Sequence, residues 1–338
     1  MGDVFKPILA ITMGDAAGIS GEIIDKALSR KEVYDLSRPL VVGDTRVLKK
    51  ALQVAHVHLQ FNPVEKVADA HFRHGVIDVL DLKNIDTDNL VMGKPQAMAG
   101  KASVEYVEKA VRLALRGEVH AIVTAPLSKE AMNMAGYRYA GHTELIAHLT
   151  KTDNYAMMLA ARGLRVIHVT THVSMREACS QIKRDRVLRT ILLADRALRG
   201  LGIEGGKIAV AGFNPHAGEA GLFGTEEIEE ITPAVKEAVK SGMNVAGPFP
   251  PDTVFLRTQK GEFDIAVAMY HDQGHIPLKM VGFERGVNVT IGLPVIRTSV
   301  DHGTAYRRAA LRLGTGDPTS LLEAIKLAAQ MARAKFGS

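Results

Sequence analysis

Short, uninterrupted apolar runs punctuate this chain, at residues 7–13, 40–43, 76–80, 121–123, 157–160, 164–169, 208–213 and 265–269. Each is bounded by glycine, proline or polar residues and is too short for a helix, so each predicts a buried strand. Between them apolar residues recur at helical spacing. Residues 101–116 place Val104, Val107, Val111, Ala114 and Leu115 on one face and stop at Gly117. Further helices are predicted at 22–28, 145–149, 175–200, 232–241 and 319–334. Thr232-Pro233 and Asp317-Pro318 put a side-chain acceptor and then proline where a helix begins, and Gly242 sits where one ends. Strands alternating with helices predict an α/β fold, a mostly parallel sheet with helices on both faces, in two α/β/α lobes with a cleft between them.

Three of the apolar runs break into reactive side chains at their carboxyl ends, where ligands sit in open α/β sheets. The run at 265–269 leads to His271, Asp272, His275 and Lys279. The run at 164–169 leads to Thr170-Thr-His172, and that at 208–213 to Asn214-Pro-His216-Ala-Gly-Glu219. A single histidine at a strand end is commonly structural. Three in matching places point to a divalent-metal site of His172, His216 and His271, because imidazole is a common ligand for zinc-like ions. Zinc suits them first, with manganese, cobalt or magnesium as alternatives. Such an ion keeps open positions for a hydroxy acid, lowers the pKa of its hydroxyl and stabilises the oxyanion. Asp252 and Asp272 could orient the ligands or join them, and Lys279 could anchor an anionic substrate and donate a proton. These three are the catalytic candidates. Arg297 and Lys279 are the cations best placed to meet phosphate or carboxylate. Gly141-His142-Thr143, at a helix start, reads either as an anion site or as a cap by Thr143.

Composition narrows the partners. At 338 residues, 46% of them apolar, the chain has material for two packed domains. The net charge of +5 is spread along the chain, aromatic residues make up 5% and tryptophan is absent. This argues against nucleic acid and for a mildly basic surface that favours small anions. No apolar stretch approaches a membrane span and Met1–Lys6 lacks a signal-peptide pattern, which predicts a cytoplasmic protein without a membrane partner. The one cysteine, Cys179, has no internal disulfide partner and is expected as a buried, inert thiol. The glycines of Gly14-Asp-Ala-Ala-Gly18-Ile-Ser-Gly21 form a turn between strand and helix, but match neither the dinucleotide fingerprint nor the phosphate loop.

Asn214-Pro-His-Ala-Gly-Glu219, Met269-Tyr-His-Asp-Gln-Gly274, Gly141-His-Thr-Glu144, Thr170-Thr-His172 and Leu293-Pro-Val-Ile-Arg-Thr-Ser-Val-Asp-His-Gly303 resemble the PdxA family, the 4-hydroxythreonine-4-phosphate dehydrogenases. The resemblance runs in the family's order from the Thr12-Met-Gly-Asp15 turn to about Ala305. It implies two lobes like those of isocitrate and isopropylmalate dehydrogenases, and a homodimer with shared active sites. It also implies a divalent metal held by His172, His216 and His271 drawn from both subunits. The substrate contacts implied are His142, Thr143, Lys279, Asn288 and Arg297. The reaction implied is NAD- or NADP-dependent oxidation of a hydroxyl on a phosphorylated acid, followed by decarboxylation. On this basis one lobe is expected at 1–135 with 303–338, and the other, with the metal, substrate and dimer residues, at 136–302.

Pro250-Pro-Asp-Thr-Val-Phe255, His271-Asp-Gln-Gly-His-Ile-Pro277 and Val166-Ile-His-Val169 are closer to paralogues acting on 4-phospho-D-threonate or 4-phospho-D-erythronate in sugar-acid catabolism than to vitamin B6 synthesis. The cofactor is assigned to Asp301, His302, Gly303, Arg307 and Arg308. Arg307 and Arg308 stand where relatives carry an acidic residue and favour NADP through its 2′-phosphate. Two other readings stand beside this one: a dihydrodiol dehydrogenase on a carboxylated cyclic diol, and a non-catalytic, metal-dependent phospho-acid sensor.

Overall fold

The computed structural model describes residues 5–337. Its strands in chain order are β1 (Ile8–Thr12), β2 (Arg38–Gly43), β3 (Gln60–Val64), β4 (Val76–Asp81), β5 (Ala121–Thr124), β6 (Ala156–Ala161), β7 (Leu164–His168), β8 (Ile208–Ala211), β9 (Val245–Phe249), β10 (Ile265–Ala268), β11 (Val287–Ile291) and β12 (Arg297–Val300). The chain divides into two compact units, Met1–Asp153 with Leu293–Ser338, and Asn154–Gly292.

In the first unit the strands run β3-β4-β2-β1-β5-β12, and every pairing is parallel. Ala10 at its centre faces Leu40 on one side and Ile122 on the other. β1, β2 and β5 are buried almost throughout, as continuous apolar runs in a parallel sheet should be. Helices Ala97–Leu115 and Thr319–Phe336 bury their apolar faces against this unit.

In the second unit the order is β11-β6-β7-β10-β8-β9. β7, β10, β8 and β9 pair in parallel, but β6 is antiparallel to both neighbours, forming a hairpin with β7 through the tight turn at Arg162-Gly163. Leu159, Val166, Ala209, Phe255, Ala266 and Leu278 pack into one core beneath helices Pro251–Gln259 and His271–Gly282.

Several expectations change. The units divide at 153/154 and 292/293, not at 135/136 and 302/303, because helix His142–Leu149 packs with helix Ala97–Leu115 and β12 pairs with β5. The helix expected over 175–200 is two, Met175–Gln181 and Arg184–Gly200. The Glu230 carboxylate accepts from the Arg184 backbone N–H at 2.8 Å and so starts the second helix. Thr232 does not cap a helix, since a π-helical turn at Glu227–Ile231 runs straight into Thr232–Lys240. Cys179 is exposed rather than buried. Among the described residues no helix is long and apolar enough to cross a membrane.

Candidate active site

In the first unit Arg297 opens β12 and is buried. Its Nη2 donates to Thr124 Oγ1 on β5 at 2.9 Å, and its Nη1 donates to Thr143 Oγ1 at 3.4 Å. Burial draws its pKa down to about 10, while the Glu144 carboxylate opposes that shift, so it remains a cation at neutral pH. Thr143 lies in the first turn of helix His142–Leu149, whose start is at Gly141 with no side-chain cap. Of the two readings of this segment, capping by Thr143 is therefore excluded. His142 Nε2 is buried without a hydrogen-bond partner among the described residues. Burial and then the Arg297 charge hold this imidazole well below its usual pKa, leaving it neutral. A buried guanidinium, a hydroxyl and a neutral imidazole on neighbouring elements suit an oxyanion with protonatable oxygens, such as phosphate.

Also in the first unit, the glycine turn after β1 meets the loop after β12. Tyr306 Oη donates to Asp15 Oδ2 at 2.7 Å, and Ile19 N donates to Thr304 O at 3.1 Å. Gly18 leaves no room for a side chain, since a Cβ there would stand 2.7 Å from Thr304 O. Burial raises the Asp15 carboxyl pKa, against the pull of its bond from Tyr306. Asp15 and Tyr306 are absent from the expected set, because their pairing joins residues distant in sequence. Asp301 N donates to Ser320 Oγ at 3.2 Å, the His302 ring bonds to Gly303 O, and Arg307 and Arg308 are exposed on helix Tyr306–Leu311.

In the second unit the candidate side chains follow the carboxyl ends of β7, β8 and β10, with His172 and His271 near one another. His271 and Asp272 lie in the first turn of helix His271–Gly282, not in a loop, and Lys279 follows two turns later on the face of His271 and His275. His271 Nδ1 bonds to Asp272 Oδ1 at 2.7 Å. A carboxylate only accepts, so Nδ1 carries a proton and Nε2 is the nitrogen left to face a metal. The His172 ring lies 5.7 Å from that of His271. His275 stacks on His271 at 3.6 Å and 12°, and His168 lies beyond it at 4.7 Å. Burial and the neighbouring rings hold His275 down to about 4 and His168 to about 3, so both are neutral.

His216 sits elsewhere, on the loop after β8, where His216, Ala217, Gly218, Glu219 and Ala220 all take positive φ between 46° and 79°. A left-handed run of four non-glycine residues costs about 1 kcal/mol or more at each, and such strain collects at functional loops. Glu227 holds the loop's start: its buried carboxylate accepts from Phe213 N and Asn214 N, each at 2.7 Å. Among the described residues no group of three or more His, Cys, Asp or Glu could hold a metal ion, so His216 is not gathered with His172 and His271 in one chain. The donors themselves fit zinc or a similar ion, being imidazoles, one of them held in place by a carboxylate. Asp252 is exposed in the first turn of helix Pro251–Gln259. On β11, Asn288 has its Oδ1 buried without a hydrogen-bond partner among the described residues, and Lys279 Nζ lies 5.5 Å over the Phe283 ring.

Residues 35–328 match the family described as pyridoxal phosphate biosynthetic protein PdxA. The chain belongs to the PdxA family. This PdxA-family chain is 49% identical, over 98% of its length and 99% of the other, to a protein of Oceanobacillus iheyensis that carries the provisional name D-threonate 4-phosphate dehydrogenase. The crystal structure of a 4-hydroxythreonine-4-phosphate dehydrogenase from Burkholderia phymatum is 48% identical, with a TM-score of 0.86 over 97% of this chain and 98% of that one. The enzyme of that name from Klebsiella pneumoniae is 46% identical, with a TM-score of 0.88 over 97% and 100%. As a PdxA-family member with these relatives, the chain is an oxidoreductase of the dehydrogenase class.

Proposed function

We propose that the chain oxidises a phosphorylated hydroxy acid with NAD or NADP and then decarboxylates the product. The preferred substrate is 4-phospho-D-threonate or 4-phospho-D-erythronate, with 4-phosphohydroxy-L-threonine as the second candidate. The observation that carries this reading is Arg297, a buried cation bonded to Thr124 and Thr143 beside a neutral His142. Such a site fits phosphate better than the face of a carboxylated cyclic diol.

In this reading Arg297, Thr143 and His142 hold the phosphate and fix the acid's orientation. Asn288 meets a substrate hydroxyl, and Lys279 anchors the carboxylate. His172, His216 and His271 would hold a divalent ion, zinc before manganese, cobalt or magnesium, which would acidify the C3 hydroxyl when bound. Asp272 fixes the tautomer of His271, and Asp252 is a candidate to orient the site. NAD or NADP, when bound, would supply the acceptor for the C3 hydride, and the hydroxyl proton would pass to solvent. The bond from C2 to the carboxylate of the resulting β-keto acid then breaks, carbon dioxide leaves, and Lys279 protonates C2. Asp301, His302, Gly303, Arg307 and Arg308 hold the cofactor, the two arginines favouring a 2′-phosphate.

The active unit of this proposal is a homodimer whose metal ligands come from both copies. Supporting it, Ile276 and Met280 on helix His271–Gly282 and Phe283 just after it are 61%, 83% and 70% exposed, more apolar surface than a solitary helix face favours. A cytoplasmic location, with neither nucleic acid nor membrane as partner, completes the reading.

The test is absorbance of the reduced nicotinamide, using metal-supplemented enzyme, all three phosphorylated acids and both cofactors, with His216→Ala as control. Turnover on the threonate or erythronate that the variant loses supports sugar-acid catabolism. Turnover on phosphohydroxythreonine alone moves the protein to vitamin B6 synthesis. No turnover on any of them favours the sensor or dihydrodiol readings.

A further inference from the structure

Two of the segments that set this chain toward the threonate paralogues, 166–169 and 271–277, each contain a histidine outside the proposed metal set, and the fold brings these two together. His168 ends β7 and is buried, with its Nε2 unpartnered among the described residues. Gly274 lies against it: a Cβ there would stand 2.4 Å from that Nε2 and 2.6 Å from Val166 Cγ1. The first turn of helix His271–Gly282 therefore rests directly on the His168 ring, with only a hydrogen of Gly274 between. One residue on, His275 packs between His168, at 4.7 Å, and His271, on which it stacks at 3.6 Å and 12°. Its Nδ1 bonds to the His271 carbonyl at 2.9 Å, and since a carbonyl only accepts, that nitrogen carries the proton.

His271 is thus held from two sides. Asp272 accepts the hydrogen bond from its Nδ1, and His275 covers one ring face, which leaves the ring a single orientation for its Nε2. We propose that His275, seated on His168 and Gly274, is a positioning residue that fixes the His271 imidazole for metal binding. An exposed aromatic side chain rotates broadly about its second torsion, and a parallel ring at stacking distance removes that freedom before the ion arrives. The gain is preorganisation, which shows as ion affinity rather than as a new contact with substrate. The proposal rests on the reading of His271 as a metal ligand.

The experiment titrates manganese(II) into the full-length protein and reads the free ion by electron paramagnetic resonance, with circular dichroism confirming that each variant folds. His271→Ala is expected to abolish the site. His275→Ala is expected to weaken it by about 10- to 100-fold, the usual effect of removing a group that orients a ligand. His275→Phe, which keeps a stacked ring without the Nδ1 donor, should restore most of the affinity; His275→Asn, which keeps a donor without the ring, should not. A His275→Ala variant that binds manganese like the parent while His271→Ala does not overturns the positioning role alone. Unchanged binding in His271→Ala overturns the metal reading itself, and the positioning role with it. Recovery by Asn and not by Phe overturns the stacking argument in favour of the hydrogen bond.

Discussion

Asp25, in helix Ser20–Leu28, is fully buried, and neither carboxyl oxygen has a hydrogen-bond partner among the described residues. Burial, with the nearby Glu22 charge, pushes its pKa up to about 8. A carboxyl whose folded pKa lies above its unfolded value stabilises the fold fully at low pH and loses that contribution as pH rises toward the folded pKa. Between about pH 5 and 8 the unfolded chain carries a charge here that the folded chain does not, which costs about 1.4 kcal/mol per pH unit. Asp25→Asn should remove this slope. Urea unfolding at pH 6 and pH 8 checks it: the parent should lose about 2–3 kcal/mol more than the variant over that interval, and equal losses would refute the assignment. Residues of this kind were not legible in the sequence, because a charged residue in an amphipathic helix reads as solvated. Arg297 was legible, since it interrupts an apolar region. Thr124, Glu227 and Tyr306 were not, because each acts through a partner distant in sequence.

Helix Ala97–Leu115 shows how elements fix one another. Gly100 lies so close to helix Lys129–Met134 that a Cβ would stand 2.0 Å from Ala131 O and 2.6 Å from Met132 N. Backbone cannot swing aside as a flexible side chain can. Gly100→Ala should destabilise by about 1–3 kcal/mol despite alanine's better helix propensity, read as a lower urea midpoint with unchanged slope; a rise in the midpoint would contradict the packing. The elements that were legible are those with strong periodicity: β1, β7, β8 and β10 as apolar runs, and the long helices at 97–115 and 319–336. β3 was not, because Gln60-Phe-Asn-Pro-Val64 sits at a sheet edge, where proline and polar residues are tolerated. β9, with Gly247 and Pro248, hides for the same reason at the other end of the order. The antiparallel β6 was read as a strand, but its direction follows from pairing that no local pattern encodes.

For the whole molecule the net charge of +5 becomes a kinetic quantity. A positive protein draws a multiply charged phosphorylated acid from solution, and salt screens that attraction over about 10 Å at 0.1 M. Raising sodium chloride from about 10 to 200 mM should therefore lower kcat/KM several-fold while kcat changes little. Steady-state assays at matched pH measure both, and a kcat/KM indifferent to salt would dismiss steering. The motifs carrying the resemblance made the family legible from end to end, whereas the position of the division between units was not. That depends on which strand β12 joins, and it joins β5.

That pairing also sets an order of events when the chain is made. Residues 154–292 form one unit, while the other receives β12 and helix Thr319–Phe336 only from chain synthesised afterwards. As the polypeptide leaves the ribosome, the inserted unit has all its strands before the unit that surrounds it in sequence. Until residue 300 has emerged, β5 presents an unsatisfied row of amides and carbonyls on the side that β12 will occupy. The newborn protein thus carries an open sheet edge through about half of its translation, a stretch over which chaperone protection counts.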